Sequence, residues 1–298
     1  MREQPVFGVC GYPLNFLKDA RWHSRADVFA YLKTLGLSCF ELPWTYGTAS
    51  KGKVAKEYRK KIKESGVVVT LLGPQDMNFT SSSKRVLEHS KKQLERTFAL
   101  AVSLGIPAVR LTLGNNIVKE ERRQEIIELI VQELRSLRKK KKYHSLCVYL
   151  TPGRRKREFG SLTDLFEICN QVSFCYPCLH LSYFHVQLGQ IFTSSKKLKQ
   201  FVEEVNAKFK EDLSYCPYLI CYPLVYEDGK IIPKTFGELK KGQISLFDNN
   251  ETYFPKLGDI VGSILGTNAY VFSQTKDRME IGAMQLRDHY FYQKGKLE

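Results

Sequence analysis

No apolar run approaches the ~18 residues that a bilayer-spanning helix requires. The first residues, MREQPVFG, lack the apolar core of a secretory signal peptide. Both absences point to a soluble, cytoplasmic protein. No glycine-rich GxGxxG follows the first strand-like run, Val6 to Cys10, which disfavours an open dinucleotide-binding sheet. Acidic residues are in short supply, with 31 Asp and Glu against 46 Lys and Arg, giving a formal net charge of +15 and a pI near 9.4. Such a surplus attracts anionic partners at long range but does not choose a fold. The eight cysteines mostly sit in apolar runs, as small hydrophobes in a reducing compartment, so no disulfides are expected.

What is present is a repeated unit. In Phe98 to Gly114 a buried helix face is stopped by Gly105, Pro107 forbids its return, and Ala108 to Leu113 continues as a short apolar strand. Val28 to Pro43 repeats the pattern, with Leu35-Gly36 ending a helix before the strand Ser38 to Leu42. Helix, short loop and strand in repetition build a parallel sheet. Further strands are expected at Val67 to Leu72, Leu146 to Leu150, Cys175 to Ser182, Tyr218 to Tyr222 and Ala269 to Ser273. Helices are expected at Arg25 to Leu35 behind a Ser24 cap, Lys53 to Ser65, the segment ending at Leu104, and about Lys119 to Lys140. The remainder fall at Ser161 to Val172, Lys196 to Phe209, Phe254 to Leu265 and Met279 to Tyr290. Eight strands alternating with helices over 298 residues give the α/β class, as a (β/α)8 TIM barrel in a single domain. Pro223 to about Asn250 reads as a long loop after the seventh strand, of the kind used for lids and binding insertions.

In such a barrel chemistry belongs to the loops that follow the strands. Several of these exits and the strands before them carry a resemblance: FGVCGYPLNF, YLKTLGLSCFEL, Leu71-Leu72-Gly73-Pro74, LGIPAVRLTLGNN, VYLTPG followed by SLTDLFEIC, and CLHLSYFH. Together they resemble the endonuclease IV and xylose-isomerase-like TIM-barrel superfamily (AP endonuclease family 2) over nearly the whole chain. The resemblance implies a phosphosugar or abasic-nucleotide site built on divalent metals held by His, Asp and Glu at strand ends. Position by position those ligands fall on Leu72, Thr112, Leu150, His180, Tyr183, a residue near Cys221, and Gln274 or its neighbour. Leucine and threonine do not supply the deprotonated donors that Zn²⁺, Mn²⁺ or Mg²⁺ need, so no metal and no other cofactor is expected.

The polar and aromatic residues left at the exits form the candidate site. Glu41 and His180 are the candidates for proton transfer, although Glu41 could equally pair with Arg110 inside the barrel. Asp76 and Thr151 also stand at the exits. Tyr12, Trp22, Trp44, Tyr46, Tyr183 and Phe184 could stack on bases or sugars, or could plug the mouth. Asn115, Asn116, His185 and Gln274 add hydrogen-bonding groups. Arg154, Arg155, Lys156 and Arg157 concentrate four cations in the exit of the fifth strand, where no helix end explains them. A second cluster, Arg138 to Lys142, sits at a helix C-terminus, where positive charge complements the macrodipole. Cys175-Tyr176-Pro177-Cys178 has dithiol spacing but opens a strand, which favours a buried pair.

Three functions remain open. The first is a metal-free barrel binding an anionic ligand, either nucleic acid or phosphosugar. The others are an isomerase, epimerase or abasic-site endonuclease of the superfamily, and a partner protein docking on an acidic surface. The oligomeric state is left open.

Overall fold

A computed structural model describes residues 3–44, 52–114, 116–189, 195–209, 211–212, 214–221, 224–227, 230–233, 253–254, 257–274 and 279–296. The strands are β1 (Val6–Cys10), β2 (Cys39–Pro43), β3 (Val68–Leu72), β4 (Ala108–Thr112), β5 (Cys147–Thr151), β6 (Cys175–His180) and β7 (Tyr218–Cys221), then β8 (Leu224–Glu227), β9 (Lys230–Pro233), β10 (Tyr253–Phe254) and β11 (Tyr270–Ser273). The helices are α1 (Leu14–Lys18), α2 (Val28–Thr34), α3 (Gly52–Ser65), α4 (Lys84–Leu104), α5 (Glu120–Arg138), α6 (Leu162–Gln171), α7 (Leu181–Gln187), α8 (Ser195–Phe209), α9 (Leu257–Ile264) and α10 (Met279–Lys294). β1 to β7 and β11 close into an eight-stranded barrel, in the order β1-β11-β7-β6-β5-β4-β3-β2. Within it β1 runs parallel to β11 and β2, β11 to β7, β3 to β4, β4 to β5 and β5 to β6. This is the (β/α)8 TIM barrel expected from the sequence.

The repeated unit has one physical cause at both sites. Gly36 and Gly105 take positive φ of 67° and 71°. Leu37 N–H then reaches back to Leu32 O at 2.9 Å, and Ile106 N–H to Ala101 O at 2.9 Å. Such a left-handed glycine satisfies the last helix carbonyls and turns the chain straight into the strand.

The chain gathers into two compact units, Met1–Glu41 with Ser65–Val68 and Leu179–Glu298, and Leu42–Glu64 with Val69–Cys178. In the first, Phe7 packs on Tyr290 of α10 (ring centroids 5.5 Å) and Phe40 on Phe29 of α2 (5.8 Å), so this phase of β1 and β2 faces the helices. Because side chains alternate along a strand, Cys10 and Glu41, which are in register, point the other way. In the second, Leu72, Arg110 and Tyr149 are in register, as are Thr112 and Thr151, and all five share one face.

Two expectations are corrected. The segment expected as a long loop after β7 carries β8 and β9, with Leu224 opposite Pro233 and Glu227 opposite Lys230, and β10 beyond it completes a three-stranded antiparallel sheet in the order β10-β8-β9; 234–252 lies outside the described residues. The exit of β6, expected as a loop from Tyr183 to Gln190, is helical as far as Gln187, within α7; residue 190 lies outside the described residues. Among the described residues no helix is long and apolar enough to cross a membrane.

Candidate functional site

The sequence-predicted residues divide between the two units. In the first, Glu41 is fully buried, and the Tyr218 hydroxyl donates to its Oε1 at 2.5 Å. With an ionised acceptor such a bond is a strong one. Tyr218 also packs on Phe272 (4.9 Å between centroids) and Tyr270 (5.6 Å), so its ring is fixed independently of the hydroxyl. Tyr12 stacks on Phe16 and tilts against Phe40, with the Arg25 guanidinium 5.4 Å above its ring. It belongs to an aromatic cluster continued by Trp22 and Tyr31.

His180 ends β6 and leads into α7, where Tyr183 lies flat on its ring at 3.5 Å between centroids. The resemblance places metal ligands at both positions; here the two rings cover each other. His185 lies on α7 rather than in a loop and is buried, and burial lowers its imidazole to about 4. It is therefore neutral near pH 7, and its burial suits a core position. Gln274 donates its backbone N–H to Cys221 O at 3.1 Å and is half-buried. Cys221 itself is buried, which pushes its thiol up and away from the thiolate a metal needs.

Sequence reasoning missed a second buried carboxylate in this unit. Glu280, in the first turn of α10, accepts from Asn15 Nδ2 at 2.7 Å, and burial raises its carboxyl. Burial, then the Glu280 charge, pushes the Tyr31 hydroxyl up to about 12. The only sequence signal is an acidic residue opening a helix.

In the second unit Trp44 is half-buried, while Asn115 and Tyr46 lie outside the described residues. Arg110 is buried and its Nη1 donates to Thr151 Oγ1 at 3.4 Å. Since Tyr149 and Thr151 share its face, Leu150, where the resemblance places a ligand position, points to the opposite one. Leu72 and Thr112 do stand on the Arg110 face, half-buried. Asp76 sits 2.8 Å from His89.

Asn116, expected to touch ligand, serves as a brace between neighbouring loops. Its N–H donates to Thr80 Oγ1 and its Nδ2 to Thr80 O, each at 3.4 Å. Its carbonyl accepts from Phe159 N–H at 3.2 Å, and Ile117 forms an antiparallel bridge with Glu158. The exits of β4 and β5 are thereby joined.

The loop that carries Arg154 to Arg157 is closed at its base. Gly153 N–H donates to Gly160 O at 3.1 Å. A single oxygen, Asp164 Oδ2, accepts from Gly160 N (2.9 Å), Ser161 N (2.9 Å) and Arg123 Nη1 (2.6 Å). Within the loop, buried Glu158 accepts from Arg154 N–H at 2.7 Å and pairs with Arg155 at 3.6 Å. Sequence reasoning missed Glu158 because it lies one residue past the cationic run. All four basic side chains are exposed.

In the other cationic cluster, two members have partners within the chain. Arg138 Nη1 donates to Tyr143 O and Leu146 O at 3.1 Å and its guanidinium covers Phe174, while Lys140 pairs with Glu95 at 2.5 Å. Cys175 and Cys178 are buried, and burial raises the Cys175 thiol, the reverse of a reactive dithiol.

The chain matches the sequence profile of the xylose isomerase-like TIM barrel family over residues 29–210, more than half its length, and belongs to that family. No curated protein sequence matches it at a significant level. Among solved structures it is similar to 3-keto-D-glucoside 4-epimerase from E. coli (TM-score 0.62, 13% identity, covering 97% of this chain and 99% of that one). It is likewise similar to endonuclease IV from Thermus thermophilus (0.61, 12%, 99% and 100%) and to an AP endonuclease of family 2 from Brucella melitensis (0.59, 14%, 93% and 96%). At these identities the likeness is one of fold.

Proposed function

We propose that this chain is a binding member of the family, one that holds an anionic ligand, nucleic acid or phosphosugar, without metal-dependent hydrolysis. The observation that carries the reading is the pinned loop from Gly153 to Gly160, which displays Arg154, Arg155, Lys156 and Arg157 to solvent at a strand exit. A loop closed by Asp164 has already given up its conformational freedom, so ordering it around an anion costs little. Glu158 neutralises part of the charge from within, leaving Lys156 and Arg157 facing outward.

The donor chemistry at the strand ends supports the second half of the reading. Leu72 has no donor atom, Thr112, Tyr149 and Thr151 offer neutral hydroxyls, and His180 is covered by Tyr183. A cluster of divalent ions needs carboxylates, imidazoles or thiolates, so these residues do not fit one. Proton transfer at Glu41, as in an isomerase, has less support because the carboxylate is fully buried and already accepts from Tyr218.

The test is binding of a labelled oligonucleotide and of a sugar phosphate over a salt series. Replacing Arg154, Arg155, Lys156 and Arg157 with Ser should weaken oligonucleotide binding and flatten its salt dependence by about 0.9 in log–log slope for each phosphate no longer neutralised. Lys139→Ser with Lys141→Ser, just past the C-terminus of α5, should change neither. Equal effects from both sets would mean diffuse charge and would overturn the reading.

A further inference from the structure

Ile117 is 66% exposed, more than any other large hydrophobic residue among the described ones. It stands where the β4 and β5 exits meet, bridged through its backbone to Glu158. That partner's carboxylate holds the Arg154 N–H and the Arg155 side chain, so the apolar tip and the cationic loop form one braced unit. The brace continues on the other side, through Asn116 to Thr80 and through Phe159 N–H to Asn116 O. An exposed aliphatic side chain on a loop with its own hydrogen-bonded supports is held in place at a cost, since water is its present neighbour.

We infer that Ile117 is a wedge that packs against nucleic-acid bases while Arg154 to Arg157 hold the adjacent phosphates. This rests on the anion-binding reading and decides between its two ligand classes. A sugar phosphate is polar over nearly all its surface and gives an aliphatic tip nothing to cover. A nucleic acid presents charge and flat apolar rings side by side, at the spacing of neighbouring backbone and bases. Aliphatic side chains inserted at base steps are a general device for unstacking them. The β-branched side chain has restricted χ1, and the two-loop brace fixes the backbone beneath it, so the tip acts as a stiff object. An anionic bilayer would also meet the cations, but a single isoleucine buries too little area to anchor there.

The experiment uses the full chain with oligonucleotides carrying 2-aminopurine, single-stranded in one arm and duplex in the other. Binding should raise the 2-aminopurine emission at one position, as the base gives up its stacking neighbour. Ile117→Ser should weaken binding by roughly tenfold, in line with removal of one base-stacking side chain, and abolish the rise, while its melting curve stays that of the parent. Ile117→Phe should retain the rise. Oligonucleotide binding that depends on Arg154 to Arg157 but is indifferent to Ile117→Ser, in affinity and emission alike, would overturn the wedge and leave anion binding standing. Binding of a sugar phosphate alone, or of anionic vesicles alone, would overturn the wedge as well. Binding of no anion would remove both.

Discussion

Tyr218→Phe deletes one oxygen and isolates one hydrogen bond of the fully buried Glu41. The ring packing on Phe272 and Tyr270 survives in phenylalanine, so the core is nearly unchanged. What goes is a 2.5 Å donation to a carboxylate, between residues 177 apart in sequence and both 0% exposed. Hydrogen bonds to charged groups are worth about 1.5–3 kcal/mol, and at these burials solvent offers no substitute. For a chain of this size that corresponds to a fall in melting temperature of roughly 3–8 °C. In a Glu41→Gln background the same substitution should cost only about 1 kcal/mol, because a neutral amide oxygen accepts a weaker bond. The assay is urea unfolding of the four proteins at neutral pH, followed by far-ultraviolet circular dichroism. A Tyr218→Phe chain within about 0.5 kcal/mol of the parent, the ordinary range of surface changes, would refute the assignment of Glu41 as a carboxylate held in place by Tyr218.

Other residues give sharper local outcomes. Gly114 has φ +148°, and a Cβ there would lie 2.5 Å from Asn78 Oδ1 and 2.6 Å from Thr80 Oγ1. Gly114→Ala should therefore cost about 1–3 kcal/mol in unfolding free energy and, by shifting Thr80, loosen the Asn116 brace. Asp164→Ala removes the acceptor shared by Gly160, Ser161 and Arg123, with an expected destabilisation of roughly 2 kcal/mol. Trypsin should then cut within Arg154 to Arg157 several-fold faster; unchanged cleavage would mean that the loop is not pinned by Asp164. His185 sits at about 4 when folded against 6.5 when free, so between those values the unfolded chain binds a proton that the native chain does not. Its contribution is intact above pH 6.5 and disappears as pH falls toward 4. His185→Phe should flatten that limb of the urea-midpoint profile, and an unchanged limb would place the titration elsewhere.

The barrel was legible because its repeating unit is local. Leu35-Gly36 and Leu104-Gly105 each encode a helix stop and a turn into strand within a few residues, and eight such alternations leave few topologies. The hairpin of β8 and β9 was equally legible in Tyr226-Glu227-Asp228-Gly229-Lys230-Ile231, where Asp-Gly lies between strand-forming runs, yet a long Gly- and Pro-containing stretch reads more readily as loop. Facing was harder to read. Which of Tyr149, Leu150 and Thr151 shares a face with Arg110 depends on register with β4, and an all-apolar run has no alternation to betray it. The pairing of Glu41 with Tyr218 joins opposite ends of the chain, so no spacing rule could reach it. The Arg154 to Arg157 cluster was visible as charge, but its brace was not: Glu158 and Asp164 act through backbone N–H groups that nearly every residue possesses.

The central proposal is that the strand ends at Leu72, Thr112, Tyr149 and their neighbours do not hold the divalent metals that the family resemblance implies. The most direct measurement is elemental analysis of the purified chain after equilibration with Zn²⁺ and Mn²⁺ and removal of free ion, set beside incision of a labelled abasic duplex under the same conditions. The account predicts substoichiometric metal and an intact duplex. A stoichiometric ion, together with incision that a chelator abolishes, would contradict it.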